Sequence, residues 1–400
     1  MKIKLGRESV YCLGLALFLV GQLLGHTLLP VPPYIRYSFI FLGLLISIFS
    51  FVILDFNELY YAVNRLTLIK IIILIFIILL TVISIVSFKR NHNYVLLVNI
   101  IFILSAYHIH FEKILKTFFV VACSVLLIML LAYILGLVGD GQVLQGRKTF
   151  GYRMPTDLVQ LIVYITLSKI YLNLMKGRNN TSLYLLIFVI AIITLVESNS
   201  RLGSLTLLLL IPYTIFLKRK IFKSDFQISK FIQSILKNLF FIGALLSYLV
   251  TELFIRYPNN SVLEFINQIT SARLTNNRMG IEFFGYSIWG QDIYTNISSF
   301  FKGWFYIDNS FYVFLLSYGL ALLVLVGIGY RYVVNKCLKI HEYIIPFILL
   351  VIVLDSLIDQ HLYSLEYNIF LLLPFSLVSI NEKNEDNETC LNDKHTEFIY

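Results

Sequence analysis

Apolar residues run through this chain in long blocks, separated by short polar connections and by one very long one. Window hydropathy places candidate spans at 9–29, 34–54, 68–88, 94–110, 117–138, 158–175, 182–197, 202–217, 231–255, 310–330, 343–360 and 365–380. A transmembrane helix needs about 20 apolar residues, so the fourth and eighth spans are short. The pattern predicts an all-α polytopic integral membrane protein of about twelve transmembrane helices with one large structured extracytoplasmic loop. Residues 1–380 form one transmembrane domain on this reading, and the polar, aperiodic tail 381–400 is predicted to be disordered.

The long interruption runs from Arg256 to Asn309, about fifty residues, far beyond an ordinary connection. It holds Arg256, Arg273, Arg278, Glu282, Asp292, Lys302 and Asp308. Tyr257, Phe283, Phe284, Tyr286, Trp289, Trp304, Phe305 and Tyr306 are interleaved with them. Val262, Phe265, Ile266, Ile269 and Leu274 recur at helical spacing, which predicts a short amphipathic helix. The aromatic run Phe300–Tyr306 suits a membrane interface.

Composition agrees with lipid as the solvent. The 400 residues are 58% hydrophobic and only 14% charged, an apolar excess that one globule cannot hide. The net charge of +9 reads as Lys and Arg in cytoplasmic loops, and no nucleic-acid module is visible. With the N-terminus inside, about 20 basic residues fall inside and about 11 outside, as the positive-inside rule requires. The first span is then an uncleaved helix, both termini are cytoplasmic, and the long interruption lies outside. Cys12, Cys123, Cys337 and Cys390 show no metal spacing and predict no external disulfide.

Certain charged residues need an explanation. Arg201 lies in Glu197-Ser-Asn-Ser-Arg-Leu-Gly-Ser204, at the membrane face between two apolar blocks. A guanidinium there marks function, or else snorkels or pairs with Glu197 four residues earlier. Arg278 and Arg273 suit phosphate oxygens, because the planar fork of Arg matches them bidentately, or else they are solvated loop charges. Arg147 and Arg153 sit in a second external segment, Gly139–Asp157. Asp308 is either a chemical group or the N-cap of the following helix. Asp355, Asp359 and His361 end the eleventh span, where pairing and chemistry are equal alternatives.

Absences narrow the classes. The first external loop, Leu29-Pro-Val-Pro-Pro-Tyr34, lacks the acid that dolichol-sugar glycosyltransferases carry there. There is no external DxD, no metal-ligand spacing, no Walker loop and no GxGxxG, so the chain predicts metal-free chemistry without a bound cofactor. Acids at mid-membrane depth look few, which argues against a proton-coupled pump.

Three patches then resemble the Wzy-type polymerases of O-antigen and capsular polysaccharide, within the group that includes the O-antigen ligases. They are Ser200-Arg201-Leu-Gly203, Asn277-Arg278 with Phe284-Gly-Tyr-Ser-Ile-Trp-Gly290, and Asp308-Asn-Ser-Phe-Tyr-Val-Phe-Leu-Leu-Ser-Tyr-Gly-Leu320. Ligases typically carry His before Asn-Ser, so Asp308 favours a polymerase. The resemblance implies transfer of a growing glycan from undecaprenyl pyrophosphate onto the next lipid-linked repeat unit, at the outer face of a bacterial cytoplasmic membrane. It implies a flippase and a chain-length regulator as partners, membrane lipid as the surroundings, and no nucleic acid. Arg201, Arg278 and Asp308 are then the expected catalytic residues. Arg273, Glu282, Arg147, Arg153, Trp289, Tyr286 and Asp359 are the expected substrate contacts, with Trp304 a further stacking candidate. A transporter or flippase of lipid-linked oligosaccharide is the alternative from another class, and a ligase-type transferase the second.

Overall fold

The computed structural model describes residues 6–52, 68–141, 146–178, 180–221, 228–293 and 306–378. Among them, eight helices are long and apolar enough to cross a membrane. These are α1 (Arg7–Gly25), α2 (Pro33–Val52), α3 (Leu68–Asn91), α5 (Phe111–Ile134), α6 (Pro155–Met175), α8 (Arg201–Ile221), α9 (Lys230–Arg256) and α13 (Leu320–Lys339). Shorter apolar helices are α4 (Val95–Ser105), α7 (Thr181–Val196) and α14 (Ile344–Asp355). Between α9 and α13 lie α10 (Ser261–Ile269), α11 (Arg273–Phe284) and the single turn α12 (Ser310–Val313). The protein is an all-helical, multi-pass membrane protein.

The exposed surface supports lipid as its surroundings. Leu74, Ile78 and Val82 on α3, and Leu127, Leu131 and Ile134 on α5, stand exposed in rows. The opposite case is α6. Its apolar residues continue all round the helix, and nearly every one is buried, so it forms the centre of the bundle. Pro155 opens α6 at a position where its missing N–H costs nothing, and Asp157 sits favourably in that first turn. Around α6, α1 packs along α2, α7 along α8, and α9 against α13.

The expected span 365–380 is not an α-helix. Through residue 378 the chain runs as turns and short 3₁₀ pieces, His361–Tyr363 and Ile369–Leu372. Asn368 bonds the Leu362 carbonyl through its side chain, and Pro374 has no N–H to offer a helix. Tyr367, Ile369, Phe370 and Leu372 are buried in protein, the condition under which irregular backbone survives at membrane depth. The short amphipathic helix appears as α10, capped by the Asn260 side chain, with Val262, Phe265 and Ile269 exposed. Lys302, Trp304, Phe305, most of the Phe300–Tyr306 run, Cys390 and the tail 381–400 lie outside the described residues.

α12 passes through a π turn, Phe314–Tyr318, into α13 at Gly319. Gly319 has φ 97°, and a Cβ there would lie 2.4 Å from the Ile288 carbonyl oxygen. That junction holds the segment after α11 against the start of α13 through Leu320 N–H to Ser287 O, 2.9 Å.

Candidate functional site

The turn between α7 and α8 is where the site begins. Asn199 adopts φ 46°, a left-handed conformation that Asn tolerates better than most residues. Arg147 donates from Nε to the Ser198 carbonyl at 2.9 Å and from Nη2 to the Asn199 carbonyl at 3.2 Å. The neighbouring Lys148 ammonium lies 2.6 Å from Glu197. Glu197 thus pairs with Lys148, while Arg201 donates from Nε to Asn199 Oδ1 at 3.1 Å. Gly203 lets α8 approach α6, since a Cβ there would lie 2.5 Å from Val159 Cγ1.

Arg273 reaches the same place from the other side. Ser271 and Ala272 both take positive φ, 57° and 65°, immediately before it. Two successive left-handed residues other than glycine are costly and recur at functional sites. Arg273 is buried, donates from Nη1 to the Thr270 carbonyl at 3.0 Å, and holds Nε 3.3 Å from Asp308 Oδ2. Arg147, Arg201 and Arg273 feel one another. Burial, then the Arg273 and Arg201 charges, lowers the pKa of Arg147, against an opposing pull from Asp308. Three guanidiniums from three separate segments therefore gather in one place, with Arg273 paired to Asp308 and Arg147 within reach of its charge.

Asp308 is not the cap of the helix that follows. Asn309 is: its Oδ1 accepts from the Phe311 and Tyr312 amides at 3.0 and 3.2 Å. The Asn309 side-chain amide donates to Ser247 Oγ at 2.8 Å and to the Leu357 carbonyl at 2.7 Å. Burial raises the Asp308 pKa, with Arg273 opposing.

Beside this cluster lies a chain of alternating acids and histidines, buried except for the half-buried His26. Glu366 faces His26 Nε2 at 3.4 Å, and His26 Nδ1 faces Asp157 at 3.4 Å. The second Asp157 oxygen lies 3.3 Å from His361 Nε2, whose Nδ1 lies 2.5 Å from Asp359. The Tyr367 ring covers both imidazoles, with centroids 4.0 Å from His361 and 5.2 Å from His26. Asp355 accepts from the Thr206 hydroxyl at 3.0 Å rather than from an arginine. Asp157, Asp355, Asp359 and Glu366 are all buried in the protein. Among the described residues no His, Cys, Asp or Glu group is arranged to hold a metal ion.

Other expected residues lie apart from the arginines. Arg278 is five residues beyond Arg273, about 140° around α11. It pairs with Glu282 at 2.7 Å on an exposed face. Arg153 is exposed, and its backbone N–H donates to the His26 carbonyl at 2.9 Å. Tyr286 donates to Glu252 at 2.9 Å, and Trp289 is exposed. An open cavity of about 620 Å³ lies between the end of α3 and the segment after α11, lined by Arg90, His92, Phe283, Phe284, Gln291 and Asp292. Sequence reasoning missed His26, Asp157 and Glu366. Each stands alone in its stretch of sequence, and only Asp157, just inside a Pro-initiated span, carried a local signal.

No family model, curated protein or solved structure matches this chain.

Proposed function

We propose that the protein is a membrane glycosyltransferase that polymerises oligosaccharide repeat units carried on undecaprenyl pyrophosphate. The observation that carries this is the gathering of Arg201 and Arg273 around Arg147, with Asp308 paired to Arg273. Such a cluster suits a dense anion such as a pyrophosphate, because planar guanidiniums can fork phosphate oxygens. The sequence patches Ser200-Arg201-Leu-Gly203 and Asp308-Asn-Ser310 contribute two of its members, which supports the same reading. On this reading the site faces the outer side, both termini are cytoplasmic, and a flippase supplies the substrate.

In the reaction, a hydroxyl of one lipid-linked repeat attacks the anomeric carbon of the growing glycan. The bond from that carbon to the pyrophosphate oxygen breaks, and lipid pyrophosphate leaves with the electron pair. Negative charge grows on the leaving group, where the three arginines stabilise it without reorganising. Asp308 takes the hydroxyl proton. Burial raises its pKa, which makes it a stronger base than an exposed carboxylate. On this reading Arg147, rather than Arg278, is the third arginine of the site. The aromatic and polar lining beside Phe283, Phe284 and Asp292 suits a saccharide.

The acid–histidine chain favours a second reading, proton-coupled transport of a lipid-linked oligosaccharide. Purified protein incubated with lipid-linked repeat units separates the two. A ladder of longer lipid-linked products supports the polymerase. Movement of the lipid between vesicle leaflets, without a ladder, supports the transporter.

A further inference from the structure

The acid–histidine chain is joined to both halves of the arginine site through its backbone. His26 ends α1, and its carbonyl accepts the Arg153 amide at 2.9 Å. Leu28 N–H donates to the Gly151 carbonyl at 2.8 Å, and Thr27 forms an isolated antiparallel bridge with Tyr152. The segment that carries Arg147 is thus fastened to residues 26–28. At the other end, the Asp359 carbonyl accepts the Ser310 amide at 3.1 Å and the Ser310 hydroxyl at 2.5 Å. The Leu362 amide donates back to Ser310 Oγ at 3.3 Å. The turn that carries Asp308 is thus fastened to residues 357–362.

Among the described residues, the two imidazoles and Asp157 join these fastenings side chain to side chain. Each imidazole has a carboxylate oxygen opposite both of its nitrogens. A neutral imidazole has one N–H and would point a lone pair at the second carboxylate. With all three carboxylates ionised, both rings are imidazolium and every facing oxygen has an N–H donor. Three carboxylates and two imidazoliums leave a net charge of −1, and losing either proton sets unscreened carboxylates against each other.

We propose that Glu366, His26, Asp157, His361 and Asp359 form a proton-dependent clamp that holds the Arg147 segment and the Asp308 turn together as one anion site. His26 and His361 are positioning residues in it. Its existence does not depend on the polymerase reading, but its consequence for pyrophosphate binding does. Burial alone would lower the pKa of His26, yet Asp157 and Glu366 outweigh it and push the ring up to about 9. His361 is likewise raised, burial being opposed by Asp359 and Asp157. The other charged or titratable groups nearby are Tyr152 and Tyr367 at the acids, Arg36 and Tyr94 on the α2 side, and Asp355 and Asp308 beside His361.

The test measures hydrogen–deuterium exchange of residues 146–153 and 357–362, and binding of inorganic pyrophosphate, in full-length protein. The pH runs from 6.5 to above about 9. Wild type is expected to lose protection in both segments together across that range, with pyrophosphate binding weakened about tenfold or more. His26→Gln is expected to show the weak, unprotected state throughout. His26→Lys keeps a cation to about pH 10.4 and is expected to hold both segments throughout. The clamp is wrong if wild type shows no pH dependence beyond intrinsic exchange, or if His26→Lys loses protection in step with wild type. Should His26→Gln not fold, the comparison of wild type with His26→Lys decides alone. Coupled protection without any pyrophosphate binding keeps the clamp and removes the polymerase reading.

Discussion

Arg273 Nε lies 3.3 Å from Asp308 Oδ2, and that contact joins the start of α11 to the turn before α12. It makes Asp308 a carboxylate pulled two ways, up by burial and down by the guanidinium. A base works only when deprotonated, so activity is expected to rise with pH through the Asp308 pKa, which burial raises from its ordinary value. Arg273→Ala removes the downward pull. The rising limb of a pH–rate profile is then expected to move to higher pH, in addition to the loss of rate. A limb that stays in place would remove Asp308 from the role of base.

Asn309 and Asp308 are adjacent but should respond differently. Asn309→Ala removes the cap of α12 and the bonds to Ser247 and Leu357. A lost cap costs about 1–2 kcal/mol, which thermal unfolding in detergent would show. Asp308→Asn keeps a side chain of the same size and is expected to leave the melting temperature nearly unchanged while abolishing product formation.

Arg278 tests the limits of the cluster. Its partner is Glu282, in an exposed i, i+4 pair of the kind worth about 0.3–0.5 kcal/mol. Arg278→Ala is expected to keep most activity, whereas Arg147→Ala, in a steady-state assay, is expected to lose nearly all of it. Equal losses in both variants would mean that substrate binding brings Arg278 into the site.

Gly203 places α8 against α6. Adding a methyl group there would press on Val159 Cγ1, 2.5 Å away. Overpacking of this kind costs about 1–3 kcal/mol. Gly203→Ala is therefore expected to lower stability and displace Arg201, and Val159→Ala in the same chain is expected to restore much of both. Unfolding and product formation measured on the single and double variants would check this.

Stability should also depend on pH through His26. Its folded pKa, about 9, lies above the ordinary value of 6.5. A group raised on folding contributes stability that is fully present below pH 6.5 and disappears as pH climbs through about 9. The melting temperature of wild type is expected to fall across that window, and that of His26→Gln to fall less.

Much of the architecture is written in the periodicity of apolar blocks, because lipid forces spanning segments to be helical. The exception is instructive. Residues 365–378 look like a span by hydropathy, but their apolar side chains face protein, and Asn368 and Pro374 break the helix. Hydropathy cannot distinguish burial in lipid from burial in protein. Arg201, Arg273 and Asp308 were legible because each is a charge at the edge of an apolar block or in a polar loop. Arg278 was equally visible, but sequence does not say which side of α11 faces the cluster, and the structure pairs it with Glu282. The acid–histidine chain was illegible: Glu366, His26, Asp157 and His361 come from three distant parts of the chain and meet only in the fold.

The central claim is that three arginines and Asp308 act on a lipid pyrophosphate. The most direct test is polymer formation by purified protein from lipid-linked repeat units, comparing wild type with Arg201→Lys and Arg273→Lys. Lysine keeps the charge but loses the planar fork. Wild type is expected to give a ladder of products, and each variant only short products at strongly reduced yield. A full ladder from both lysine variants, or none from wild type, would contradict it.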